Sequence, residues 1–177
     1  MGNTNIQSLI RIHAVSPKTH KGALIINAQT YCCALGKHGT AMMKREGDNK
    51  TPIGQWPLRA VFYRTDRVKP PVTYLPVYPI QNNMGWCDDP NNKNYNQQIS
   101  FPFKPSAEKL WRKDHLYDLM VVLGYNDTPV IRGHGSAIFM HLAKENYAPT
   151  EGCIALNEAN LRKVLRLCRP NTMIKVG

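Results

Sequence analysis

Apolar and polar residues alternate over short stretches of this chain, and clusters of Gly, Pro, Asn and Asp separate the stretches. "SLIRIHAV" at positions 8–15 alternates with the period of a strand, and "SPKTHKG" after it is turn chemistry. "ALIINAQ" and "TYCCALG" predict two further strands, so the first 36 residues read as an antiparallel meander. Pro52 and Gly54 make a tight entry into another strand, "PLRAVFYR". Further along, "LYDLMVVLGY" predicts a mostly buried strand, followed by "SAIFMHLA", the short "CIAL" and the closing "TMIKVG". Two segments read as helices. "PSAEKLWRK" (105–113) has Ser106 as a cap, and "NEANLRKVLRLC" has Asn157 as a cap with Leu161, Val164, Leu165 and Cys168 at helical spacing. About eight short strands and two helices without regular alternation predict a mainly-β sandwich or barrel.

Length and composition add limits. A chain of 177 residues suits one domain, here 1–177, and 42% apolar residues suffices for a core. Residues 65–104 hold six prolines and many asparagines, a long loop-rich insertion of the kind that forms a lid or wall. The formal net charge is +11, uneven along the chain: residues 1–70 carry 11 Lys/Arg against 3 Asp/Glu. Such a field attracts anions, but the basic residues are dispersed, so sequence-reading nucleic-acid binding is not expected. No apolar run is long enough to span a bilayer. "MGNTNI" has Ile6 where a myristoylation site wants Ser or Thr. No secretory signal is visible in "MGNTNIQSLIRIHAV", and five cysteines, an odd number, suit a reducing compartment. A cytoplasmic location is therefore expected, with the periplasm as the alternative.

The chemistry concentrates near the C-terminus, in "HLAKENYAPTEGCIAL" (141–156). His141 ends a strand whose alternation puts Ala137, Phe139 and His141 on one face, and a loop of about ten residues can return Cys153 to its side. Gly152 permits a tight turn, leaving backbone N–H groups of Gly152 and Cys153 to hold an oxyanion. A nucleophilic thiol here is expected to be acidic, lowered by an imidazolium and inward N–H groups. The plain alternative is a buried cysteine beside a hydrogen-bonded interior histidine. A metal site from His134, His141 and Cys153 with Asp88 or Asp89 fits no zinc spacing. In "GWCDDPNNKNYN" (85–96), Trp86, Asp88, Asp89 and Tyr95 form either a solvated loop with a packed Trp or a substrate wall whose acids meet an ammonium group. His115 and Tyr117 share a face at the start of a buried strand, as a structural cluster or as pocket contacts.

Several motifs stand in an order that resembles the L,D-transpeptidase catalytic domain, or YkuD, family. "KREGDNKTPIGQWPL" is similar to its TPxG segment, "GHGSAIFMHLA" to its histidine strand, and "YAPTEGCIAL" to its nucleophile motif. "GWCDDPNNKNYN" and "DHLYDLMVVLGYN" are similar to short, single-domain members, and the likeness spans roughly residues 20–177. The resemblance implies a YkuD-like β-sandwich of mixed sheets with a few short helices. It also implies a cysteine acyl-transfer enzyme acting on peptidoglycan stem peptides; no cofactor and no metal are expected. By that likeness Cys153 is the nucleophile and His141 its base. The Leu142 carbonyl orients the imidazole, and Gly152 and Cys153 supply oxyanion donors. The sequence departs from the pattern at Glu151, where the family often has a second histidine, and at Ala155, where it often has arginine. Lys44, Arg45 or Arg132 are the candidates for the missing positive charge. The acceptor is water in an L,D-carboxypeptidase or an amine in a transpeptidase, and the lack of a visible leader points towards hydrolysis of soluble wall fragments. A catalytically silent module binding such fragments is the alternative.

Overall fold

The computed structural model describes residues 9–177, so the N-terminal readings on "MGNTNI" lie outside the described residues. The strands are, in order, β1 Leu9–Ala14, β2 Lys21–Ile26, β3 Gln29–Ala34, β4 Thr40–Ala41, β5 Thr51–Pro52, β6 Gly54–Tyr63 and β7 Val77–Pro79. There follow β8 Met84–Cys87, β9 Gln98–Ser100, β10 Ala107–Lys109, β11 Leu119–Leu123, β12 Phe139–Leu142, β13 Ile154–Leu156 and, after helix α1 (Glu158–Leu167), β14 Met173–Val176. β1, β2 and β3 form the expected antiparallel meander, with His13 opposite Ala23 and Leu24 opposite Tyr31.

The main sheet runs β11-β12-β13-β3-β2-β1-β14-β6-β7, and β6 also pairs with β11. β6 is long enough to do both. Its first residues pair with β14 (Pro57 opposite Met173), and its last pair with β11 (Val61 opposite Val121). A strand that changes partners along its length turns a corner between layers, and here it closes the sheet around one core. Ile10, Ile12, Leu24, Val61, Ile154, Ile174 and the apolar face of α1 (Leu161, Val164, Leu165) fill that core. The helix starts as its sequence predicts, with Asn157 Oδ1 accepting the Asn160 N–H at 2.8 Å.

The helix expected over 105–113 is absent. Ala107–Lys109 is a strand, pairing Glu108 with Trp86 in a small three-stranded sheet ordered β10-β8-β9. The backbone groups of this stretch find partners on Met84–Cys87, and Leu110 is buried there, so the tertiary pairing overrides a short helical preference. The loop-rich 65–104 segment also contains β7, β8 and β9. Its small sheet covers the outer face of β11 and β12, where a second cluster collects Phe62, Ile80, Leu110, Tyr117, Met120, Phe139 and Cys153.

Candidate active site

β11, β12 and β13 are buried on both faces, and alternation sorts their side chains. Met140, Leu142, Ile154 and Leu156 point into the main core. Phe139 and Cys153 belong to the second cluster, and His141 follows Phe139 by two positions on the same face. β12 and β13 are parallel with His141 opposite Ala155, which sets Cys153 just before the strand that flanks the histidine. Both side chains line one cleft of about 190 Å³ between the closed sheet and the small sheet.

His141 is buried, and its Nδ1 lies 2.8 Å from the Leu142 carbonyl oxygen. A carbonyl only accepts, so Nδ1 carries the proton and Nε2 keeps a lone pair. Burial lowers the His141 pKa to about 4, against the Leu142 hydrogen bond, which raises it. Cys153 is 8% exposed. Its Sγ donates to the Ala137 carbonyl (3.3 Å) and accepts from the Phe139 N–H (3.4 Å). Burial pushes the thiol up to about 12, with Glu108 adding to the rise, while the Phe139 N–H and Lys44 pull the other way. The expected acidic thiol is therefore not what this environment produces: desolvation outweighs the donors, and the resting pair is a neutral thiol and a neutral imidazole.

The turn before Cys153 is tightly built. Gly152 has φ +133°, and a Cβ there would lie 2.8 Å from the Lys50 carbonyl oxygen. Thr150 Oγ1 accepts the Gly152 N–H at 3.2 Å and donates to the Cys153 carbonyl at 2.7 Å. The Gly152 donor is thus already engaged by its own turn. Ala137 has φ +51°, a left-handed conformation held by its N–H donating to Asn96 Oδ1 at 3.0 Å.

The other residues singled out in the sequence divide into two groups. Asp88, Tyr117 and Glu151 line the cleft with Cys153 and His141. Tyr117 packs its edge on His141, ring centroids 5.2 Å apart, and donates to Glu108 Oε1 at 2.6 Å. Trp86, Asp89, Tyr95, His115, Arg132 and His134 do not line it. Trp86 packs edge-on against Phe139 and donates to Asn96 Oδ1. Asp89 accepts the Asn91 N–H in its own turn. Tyr95 is buried and donates to Glu46, whose carboxylate also accepts from Ser136. His115 is exposed and pairs with Asp118. Arg132 and His134 are exposed on the loop ahead of β12. Among the described residues, no three His, Cys, Asp or Glu side chains are grouped to hold a metal ion.

Among the cleft residues missed in the sequence are Glu46, Glu108, Arg112, Ser136 and Lys144. Glu108 and Arg112 fell inside the expected helix, and only the register of β10 aims Glu108 at the cleft. Glu46 directly follows the "KR" pair, and nothing local marks it. The cleft differs from the molecule as a whole. Carboxylates of Glu46, Asp88, Glu108 and Glu151 line it against only Arg112 and Lys144, and Arg112 is held by Asp114 (2.7 Å) and Glu108 (3.4 Å). Burial also raises the Glu108 pKa.

A closed mixed sheet that brings a cysteine and a histidine to one cleft from neighbouring parallel strands defines a candidate acyl-transfer site. The L,D-transpeptidase catalytic domain (YkuD) family matches residues 7–176, nearly the whole chain, and the chain belongs to that family. The mainly-β architecture agrees with the sandwich expected of it. Its members are L,D-transpeptidase-type enzymes acting on peptidoglycan. Comparisons with curated proteins and with solved structures gave no match. Among the described residues, no helix is long and apolar enough to cross a membrane.

Proposed function

We propose that the protein is a cysteine-dependent acyl-transfer enzyme that cleaves peptidoglycan stem peptides between a diacid residue, such as meso-diaminopimelate, and a terminal D-residue. The observation that carries this reading is the convergence of Cys153 and His141 on one cleft, with Nδ1 of His141 tied to Leu142 so that Nε2 remains the basic nitrogen. Sγ leaves the Ala137 carbonyl, passes its proton to Nε2 and attacks the diacid carbonyl. The S–C bond forms, the carbonyl electrons move onto oxygen, and the Cys153 N–H receives the oxyanion. The C–N bond then breaks as His141 returns the proton to the leaving amine, giving a thioester. Water or an amine attacks the thioester and releases the thiol, the outcomes being hydrolysis and transpeptidation respectively.

The acidic wall fits a donor whose side chain carries an ammonium group. Asp88 Oδ1 is buried without a hydrogen-bond partner, and Glu108 has one oxygen engaged by Tyr117 and Arg112. Lys144, exposed at the cleft, is the group offered to the terminal carboxylate. Soluble wall fragments in the cytoplasm are the proposed substrates, and recovery of the native protein from the periplasm alone would replace that compartment.

Mass spectrometry of a tetrapeptide stem ending in D-alanine, with and without a free D-amino acid, tests this. Release of D-alanine in water alone, lost in Cys153→Ala, is the expected result for a carboxypeptidase. Product that requires the amine makes it a transpeptidase. The burial of the thiol favours one second reading, a silent module that binds such fragments. Absence of turnover across stem peptides, with binding retained, would select it.

A further inference from the structure

The nucleophile turn lies on an ion pair, a buried Lys44 with a half-buried Asp48, that the reaction above does not use. Lys44 is 5% exposed. Its stem runs beneath Gly135, where an added Cβ would lie 2.8 Å from Lys44 Cε. Its ammonium goes on to the nucleophile turn, where a Cβ on Gly152 would lie 3.3 Å from Nζ. Nζ donates to Asp48 Oδ1 at 2.6 Å. The Asp48 carboxylate is held by its own loop, through the N–H groups of Arg45 (2.8 Å) and Lys50 (2.9 Å). The pair is therefore a fixed dipole with its cationic end at Gly152.

Stability alone does not account for it. Burying the Lys44 ammonium is costly, and an apolar side chain of similar volume commonly serves a fold as well. An ammonium also has three N–H donors, of which Asp48 takes one. The reaction needs positive charge at this spot, because thiolate and oxyanion both develop in a site where burial and nearby carboxylates oppose them. Glu108 from β10, Glu151 from the turn itself, Tyr117 and His141 line the cleft around Cys153; of its two cations, Arg112 is paired with Asp114 and Glu108, and Lys144 is exposed.

We infer that Lys44 is the electrostatic positioning residue of the site: its ammonium, set behind the Gly152–Cys153 turn, stabilises the negative charge that develops on Sγ and then on the carbonyl oxygen. It acts through the turn and does not touch the substrate. The inference rests on Cys153 being the nucleophile. Lys44 also acts on the thiol in the sense opposite to burial and Glu108.

The test measures the rate of Cys153 alkylation by iodoacetamide against pH, read by peptide mapping because the chain has five cysteines. Four full-length proteins are compared: the parent, Asp48→Asn, Lys44→Arg and the double variant Lys44→Met with Asp48→Asn. The double variant replaces the ion pair with a neutral one and avoids stranding a carboxylate. Its alkylation profile should move up by about one pH unit, so that the rate at fixed pH falls roughly tenfold. The kcat for stem-peptide cleavage should fall in step, with KM little changed. Lys44→Arg should keep most of the rate. Asp48→Asn, which removes the counter-charge and keeps the ammonium, should speed alkylation. A merely structural role predicts slowing in both Asp48→Asn and the double variant, or no change in a folded double variant, and either result overturns the inference. Because alkylation needs no turnover, a parent protein inactive on every stem peptide would defeat the proposed function and still leave the effect of Lys44 readable.

Discussion

At the residue scale the site consists of two neutral groups. Burial raises the Cys153 thiol to about 12 and lowers the His141 imidazole to about 4, so no thiolate–imidazolium pair stands ready at neutral pH. The base is active when unprotonated, and its protonated form appears only as the pH falls towards about 4. The expected kcat/KM profile is accordingly flat from pH 8 through the ordinary histidine range and drops only on approach to about 4. A titration of kcat/KM that breaks near 6.5 would show an imidazole far better solvated than this cleft allows. The positions of Cys153 and His141 were legible in the sequence because strand alternation and a glycine turn are local signals. The sign of the thiol's shift was not, because it is the sum of burial by distant elements.

At the element scale the loop-rich segment joins β10 to build a wall from β8, β9 and β10, and Asn96 helps tie it to the catalytic loop. Asn96 is buried; its Oδ1 accepts from Trp86 Nε1 and from the Ala137 N–H, both at 3.0 Å. Its Nδ2 donates to the carbonyls of Tyr125 and Asn126. Asn96→Ala leaves several of these groups unpaired, so a loss of roughly 3 kcal/mol in urea-melt stability is expected. Ala137 would lose its support, and the carbonyl it presents to Sγ would move, so kcat should fall even at temperatures where the variant is folded. Full activity in the folded variant would separate the wall from the catalytic loop. Neither link was readable in "NNKNYN", where many asparagines look alike as turn formers. The strand at Ala107–Lys109 shows the same limit. Three residues carry too little pattern to announce a strand, and a partner more than 20 positions earlier, Trp86 opposite Glu108, decides it.

For the whole molecule, charge and pH matter most. The chain carries +11, but four carboxylates line its cleft, so the outer field and the inner site make different demands on a ligand. Folding also couples to the site. His141 is lowered in the folded state, so between about 4 and its ordinary value of 6.5 the unfolded chain binds more protons. Stability is therefore expected to be level above that window and to decline as the pH falls through it, by roughly 3 kcal/mol in full. Thermal melts from pH 8 to pH 4 check this, with His141→Gln expected to flatten the decline. An equal decline in the folded variant would assign it to other groups.

From the sequence alone came the mainly-β class, the opening meander, the capped C-terminal helix and the family, because alternation, caps and ordered motifs are properties of neighbouring residues. Only the tertiary structure decided that β6 closes the sheet, that Glu108 and Asp88 line the cleft of the thiol, and that Lys44 lies behind Gly152. Each of these depends on which distant segments share a register or a buried volume, and burial determines what a charge or a thiol costs there.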